Sequence, residues 1–280
     1  MNTNRLTISI LAALSIFPRL GSGTPVPITL KVDGVERHAI VFAPANASTG
    51  KLPVVFGFHG HGGNPNGFAQ HAGFQNAWPE ALVVYPQGLR IPTDIDPQGL
   101  KPGWQRRPGE VNDRDLKFVD ALVAKLREQY QVDEQHMFAV GFSNGAFFTY
   151  LLWAQRPQLF AGFAPVAGLP RYSGNPKIPK PAIQVGGRAD RLVHIDDVER
   201  AMAMVRELDG CSGPGEPCGE GCLRYSSSKN APVENLIHPG PHVYPPLATP
   251  IIVNFFKEIA GGGNASSAAE GRISSTQFHR

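Results

Sequence analysis

No block of lysine or arginine occurs in this 280-residue sequence: 26 basic residues face 23 acidic ones, for a net charge of +3. So small an excess argues against nucleic acid or an anionic membrane surface as a partner. Long hydrophobic runs are missing too. The apolar stretch Leu6–Phe17 (LTISILAALSIF) is too short for a comfortable transmembrane span, and Pro18 interrupts it. With Arg5 ahead of it and Gly21, Ser22 and Gly23 behind, it reads as an export signal cleaved near Gly23; a packed N-terminal helix is the alternative. A secreted or periplasmic protein is expected, and no cysteine lies near the stretch to carry a lipid anchor. Cysteine is scarce altogether: Cys211, Cys218 and Cys222 fall within twelve residues. An exported chain favours disulfides, and an odd count leaves one thiol over. Three pairings are possible, of which Cys211–Cys222 is the one expected here. No histidine stands near them at zinc-finger spacing, so no metal site is expected. Internal repeats are absent.

What is present is ordinary for a globular chain, with 42% apolar and 18% charged residues. Buried-strand character marks Leu52–Phe58 and Ala81–Tyr85, and shorter strands are expected at Val26–Leu30 and Ala39–Phe42 around Asp33-Gly34. Leu116, Val119, Leu122, Val123, Leu126 and Tyr130 recur at helical spacing, predicting a helix over Asp113–Tyr130 with Asn112 or Asp113 as its N-cap. Strands follow at His136–Val140, Gly162–Val166, Ala182–Val185 and Val233–Ile237, with helices to about Ala154, over Ile195–Leu208 and over Leu247–Ile259. Strands alternating with helices predict an α/β fold with a mainly parallel sheet covered on both faces. The expected organisation is a signal at 1–23, a catalytic domain at 24–260 and a Gly/Ser/Ala-rich tail at 261–280. Residues 86–112 show no periodicity; a loop of that length is usually functional or disordered.

The segment MFAVGFSNGAFF (Met137–Phe148) sets Ser143 in a G-x-S-x-G frame between two apolar runs. A nucleophile elbow needs this: a strand, a sharp turn holding a serine in strained geometry, then a helix. A serine hydroxyl attacks only once a base removes its proton, and an acid must orient that base. In the α/β-hydrolase layout the partners follow in the order Ser, Asp/Glu, His. Asp190, in the loop after a predicted strand, fits the acid; Asp196 and Asp197 are rivals placed where a helix begins. His242, in HPGPHVYPP, fits the base, with His238 as competitor, whereas His194 follows Asp190 too closely. Oxyanion donors are expected at the backbone N–H groups of Asn144 and, in the Gly-rich FGFHGHGGN, of His61.

Together these residues resemble a secreted esterase family that contains polyhydroxybutyrate depolymerases and feruloyl or acetylxylan esterases. The likeness runs from about Thr29 to Ile259 and rests on HGHGGN, PGW at Trp104, VGFSNGAFF, APVAG, GGRADRLV and GPHVYP. It implies an α/β-hydrolase fold and a Ser143, Asp190 and His242 triad, and it is what prefers His242 to His238. Ala146, Gly186 and Tyr244 depart from the family pattern, where glycine, histidine and tryptophan are common. The aromatic after the base borders the pocket in that family, a place taken here by Tyr244. Trp104 is expected to stack on a substrate ring and Arg106 or Arg107 to meet an acidic group, against the alternative of a packing tryptophan with solvated arginines. The expected activity is hydrolysis of feruloyl, acetylxylan or short-chain esters without cofactor. A polyester (less readily polyamide) depolymerase with the same triad is the alternative, and a non-catalytic binding protein is a reading from a different class.

Overall fold

A continuous apolar run has no polar face to offer water, so a strand such as Leu52–Phe58 must be covered on both sides. The structure is a computed structural model and describes residues 24–45, 47, 50–170 and 174–261. The expected signal at 1–23, and the expected tail beyond its first residue, lie outside the described residues. The strands are β1 (Val26–Val32), β2 (Val35–Phe42), β3 (Leu52–Phe58), β4 (Leu82–Pro86), β5 (Leu89–Arg90), β6 (Pro102–Gly103), β7 (Val132–Phe142), β8 (Gly162–Val166), β9 (Ala182–Gly187), β10 (Glu216–Gly219), β11 (Cys222–Tyr225) and β12 (Val233–His238). The α-helices are α1 (Pro65–Ala72), α2 (Phe74–Ala77), α3 (Arg114–Gln129), α4 (Asn144–Gln155), α5 (Ile195–Leu208) and α6 (Ala248–Ala260).

Ten of these strands form one sheet in the order β1-β2-β4-β3-β7-β8-β9-β12-β11-β10. The six from β4 to β12 run parallel, and antiparallel strands flank them at both ends. Side chains alternate through β3: Val54, Phe56 and Phe58 join one core with α3 and α4, while Val55 joins the other with α1, α2 and α6. The expected α/β architecture is therefore present, with helices on both faces.

Local differences have local causes. The short helices α1 and α2 were not among the expected elements, although Asn64-Pro65 is a start signal: Asn64 Oδ1 accepts from Gly67 N at 2.8 Å and Pro65 opens the helix. Asp113 stands at the N-cap position of α3 without capping it. Its carboxylate instead accepts from Gly109 N and Gln105 Nε2, both at 2.8 Å, and so ties down the preceding loop. Beneath that loop, fully buried Arg37 donates to Asp115 at 2.8 Å and to the carbonyl oxygens of Arg114 and Gln87. The 86–112 segment is thereby anchored to β2 and α3.

The expected Cys211–Cys222 pairing is corrected. The disulfide joins Cys218 to Cys222 across the β10–β11 turn, with Cα atoms 5.1 Å apart, and Cys211 is free. Cys211 packs against the core that contains α3, whereas Cys222 belongs to the core on the opposite face of the sheet.

Asp209, after α5, is fully buried; one oxygen accepts from Lys180 N at 3.2 Å and the other has no partner among the described residues. Burial raises its carboxyl from 3.8 to about 7, against the opposing pull of Lys180 N and Lys229. Between those values the folded protein holds a proton that the unfolded chain has released, so stability falls as pH rises through that window. Asp209→Asn is expected to reduce this slope in thermal unfolding between pH 4 and 7; an unchanged slope would assign it elsewhere.

Candidate active site

The elbow is built by what its glycines leave out. A Cβ on Gly141 would lie 2.1 Å from Gly145 O, and one on Gly145 would lie 2.2 Å from Phe58 O. Both positions exclude any side chain. Between them Ser143 adopts φ 53° and ψ −117°, a strained conformation for a non-glycine residue, fixed by Ser143 N donating to Val166 O at 2.9 Å. The strain lifts the hydroxyl off the end of β7 at the start of α4.

Two other strand ends supply its neighbours, at the C-terminal edge where parallel sheets present ligands. His242, beyond β12, places Nε2 2.8 Å from Ser143 Oγ. Its Nδ1 lies 2.7 Å from Oδ2 of Asp190, beyond β9. Asp190 is buried, and Oδ1 accepts from Leu192 N and Val193 N, both at 2.8 Å. Since the carboxylate only accepts, His242 Nδ1 carries the proton and Nε2 is left to take the serine proton. The rivals stand apart from this arrangement. His238 is buried and depressed by desolvation, and its Nδ1 accepts from Gly240 N at 3.1 Å. Asp196 and Asp197 occupy the first turn of α5.

A cleft of about 650 Å³, including its open mouth, lies over Ser143. His61, Arg106, Asn144, Phe147, Leu192 and His242 are in its wall, along with Thr93, Asp94 and Ile95 from the 86–112 segment. The N–H groups of Asn144 and His61 donate to no backbone acceptor among the described residues. Asn144 is the first residue of α4, where an N–H has no intrahelical partner and the helix dipole favours negative charge.

The remaining expected contacts divide. Arg106 reaches the cleft, with Nη1 3.3 Å from Asp94 Oδ2. Trp104 does not: it is fully buried, stacks on Phe148 at 5.3 Å and donates Nε1–H to His59 O at 2.9 Å. The substrate-stacking expectation for Trp104 is corrected to a packing role. Tyr244 is buried as well, its hydroxyl 2.9 Å from Thr249 Oγ1 and its ring edge-on to Phe142, so the expected pocket border is also corrected. It is the Phe142 ring that lies against His242, at 5.2 Å. Sequence reasoning missed the side chain of Asn144, which accepts from Trp104 N at 2.6 Å and donates to Trp104 O at 3.1 Å. It also missed Asp96, 3.0 Å from His61 Nε2. Neither pair has a periodic or motif signature.

Among the described residues, one cluster, Cys218, Cys222 and Glu234, has metal-ligand atoms within 4.8 Å of one another. Its sulfurs are bonded to each other, which removes the thiolates that a metal would need.

No family model matches the chain. Among curated proteins it is 33% identical over 174 residues to the putative esterase NocK of Nocardia uniformis subsp. tsuyamanensis, covering 59% of this chain and 47% of that protein. It is 27% identical over 182 residues to the bifunctional acetylxylan esterase/xylanase XynS20E of Neocallimastix patriciarum, covering 64% of this chain and 25% of that one. A probable feruloyl esterase C of Aspergillus terreus is 25% identical over 252 residues, with 86% of this chain and 90% of that protein covered. The chain thus spans about half or less of the first two relatives' length. Among solved structures, a ferulic acid esterase superposes with a TM-score of 0.62 at 16% identity, covering 84% of this chain and 98% of its own. An acetyl xylan esterase from Aspergillus awamori gives 0.63 at 13% identity, covering 83% and 99%. Identities that low speak to architecture alone. The chain has the α/β-hydrolase fold and is similar in sequence to proteins named esterase, acetylxylan esterase and feruloyl esterase.

Proposed function

We propose that this chain is an exported serine esterase that hydrolyses carboxylic esters of the feruloyl, acetylxylan or short-chain type. The observation that carries the reading is the relay from Ser143 Oγ through His242 to Asp190, with distances of 2.8 and 2.7 Å, on a serine held at positive φ. Ser143 Oγ attacks the ester carbonyl as His242 Nε2 takes its proton, and Asp190 stabilises the imidazolium. The N–H groups of Asn144 and His61 receive the oxyanion. His242 returns the proton to the departing alcohol, leaving an acyl-Ser143. Water then attacks that acyl group with His242 as base, releasing the acid. None of these steps draws on a cofactor. Export is supported by the sequence pattern at residues 5–23, and no described helix is long and apolar enough to cross a membrane.

Polyester cleavage by the same triad is a second reading. Its support is apolar surface at the cleft: Ile95 and Leu192 line it while 69% and 60% exposed. Product release from methyl ferulate, acetylated xylan and amorphous polyhydroxybutyrate separates the two readings. A fluorophosphonate probe tests the shared chemistry. Labelling confined to Ser143, located by peptide mass spectrometry, is the expected result; an unlabelled protein points to a non-catalytic binding protein on this scaffold.

A further inference from the structure

The turn that carries His61 is enclosed by the 86–112 segment. Gly88 N donates to His59 Nε2 at 3.1 Å, Trp104 Nε1 donates to His59 O at 2.9 Å, and Gly62 N donates to Pro102 O at 2.7 Å. Burial draws the His59 imidazole down to about 4, so it is neutral at neutral pH, donating Nδ1–H to Gly60 O and accepting at Nε2. These bonds hold the ends of the turn. The Gly60 oxygen, which also accepts from Gly63 N at 3.0 Å, belongs to the same peptide as the His61 N–H, the candidate oxyanion donor. Gly60 and Gly62, the latter at φ 77°, flank His61 without a Cβ, so the orientation of this peptide rests on those hydrogen bonds and on what the His61 side chain holds.

The His61 side chain supplies a fixed point. Its Nε2 lies 3.0 Å from Asp96 Oδ2, with side-chain exposures of only 5% and 12%. Its Nδ1 is buried without a partner among the described residues, which leaves Asp96 as the one anchor of the ring. Asp96 is itself immobilised. Its Oδ2 accepts from Lys101 N at 2.9 Å, and its main chain exchanges hydrogen bonds with Thr93 at 3.0 and 3.1 Å and accepts from Gly99 N at 3.0 Å. Because the carboxylate only accepts, His61 Nε2 carries the proton in this bond. The other donor is held by the same segment, through the paired bonds between the Asn144 side chain and the Trp104 backbone.

We propose that Asp96 is a positioning residue for the oxyanion site: through His61 Nε2–H it holds the His61 backbone N–H in its donating orientation. The proposal rests on the serine-esterase reading. A donor that is present but turned away no longer stabilises the transition state, while substrate binding is left nearly unchanged, so the effect falls on kcat.

Asp96→Ala is expected to lower kcat on p-nitrophenyl acetate about 10- to 100-fold with KM within threefold of wild type. The Kd of a phenylboronic acid, a mimic of the tetrahedral state, should rise by a similar factor. Asp96→Asn keeps an acceptor oxygen for both His61 Nε2–H and Lys101 N, and it should recover most of the loss, which a general need for packing at this site would not predict. His61→Phe removes the same bond from the other side and should match Asp96→Ala even if that variant folds poorly. The proposal is overturned by a kcat within threefold of wild type in Asp96→Ala or His61→Phe, by a rise confined to KM, or by Asp96→Asn falling as far as Asp96→Ala. Wild type without turnover, or Ser143→Ala with it, removes the serine-esterase reading first, and the role of Asp96 with it.

Discussion

Ser143→Ala is expected to lower ester hydrolysis by at least about 10,000-fold, because it deletes the proposed nucleophile. The remaining rate would belong to the proposed oxyanion donors and the cleft, which can still polarise a bound ester toward water. Stability should hardly move. Alanine inherits the strained φ of 53° without adding to it, and the hydroxyl's partner His242 keeps its bond to Asp190. His242→Ala should cost a comparable factor, and the double variant little more than either alone, since the two residues act on one proton transfer. Turnover of p-nitrophenyl butyrate and a thermal unfolding midpoint, measured on the same preparations, test both halves. Retention of more than about 1% of wild-type kcat by Ser143→Ala would remove Ser143 as nucleophile.

How legible a residue was in the sequence depended on whether its neighbours in space were also its neighbours in chain. Strands β3 and β8 and helix α5 have the bounds that their apolar runs and periodicity predict, because burial there follows local pattern. The glycines around Ser143 were legible for the same reason: the clash they avoid lies within the motif or directly beside it. Asp190 and His242 were placed by chain order after their strands, and they meet Ser143 because parallel strands end at one edge of the sheet. Trp104 and Tyr244 were misread because an aromatic in a loop looks the same whether it faces a substrate or fills a core. Trp104 fills one, against Phe58 and Phe148, which are remote in sequence. The β10–β11 hairpin escaped notice since two four-residue strands, one of them with a proline and a glycine, carry no periodic signal, and the disulfide inside it followed the hairpin. His61–Asp96 and Asn144–Trp104 span 35 and 40 residues, and only the folded 86–112 segment brings them together.

Gly145→Ala is expected to cost about 3 kcal/mol or more of stability and most of the activity. The added methyl would stand 2.2 Å from Phe58 O, 2.7 Å from Phe58 C and 2.8 Å from His59 O. All three are backbone atoms of the strand end that leads into the His61 turn, so no rotamer change relieves the contact. Either α4 must tilt away from β3, or β3 must give way beneath a core packed on both faces. Each movement separates the Asn144 N–H from the His61 N–H, which makes this substitution a test of geometry as well as of stability. Gly50→Ala is the matched control, because a Cβ there meets nothing within 4 Å among the described residues. It should be neutral or stabilising by less than about 1 kcal/mol through the unfolded chain. Urea titrations of both variants decide the point. Equal midpoints would mean that the elbow tolerates a side chain at Gly145, and that the two proposed donors are not held by the close approach of α4 to β3.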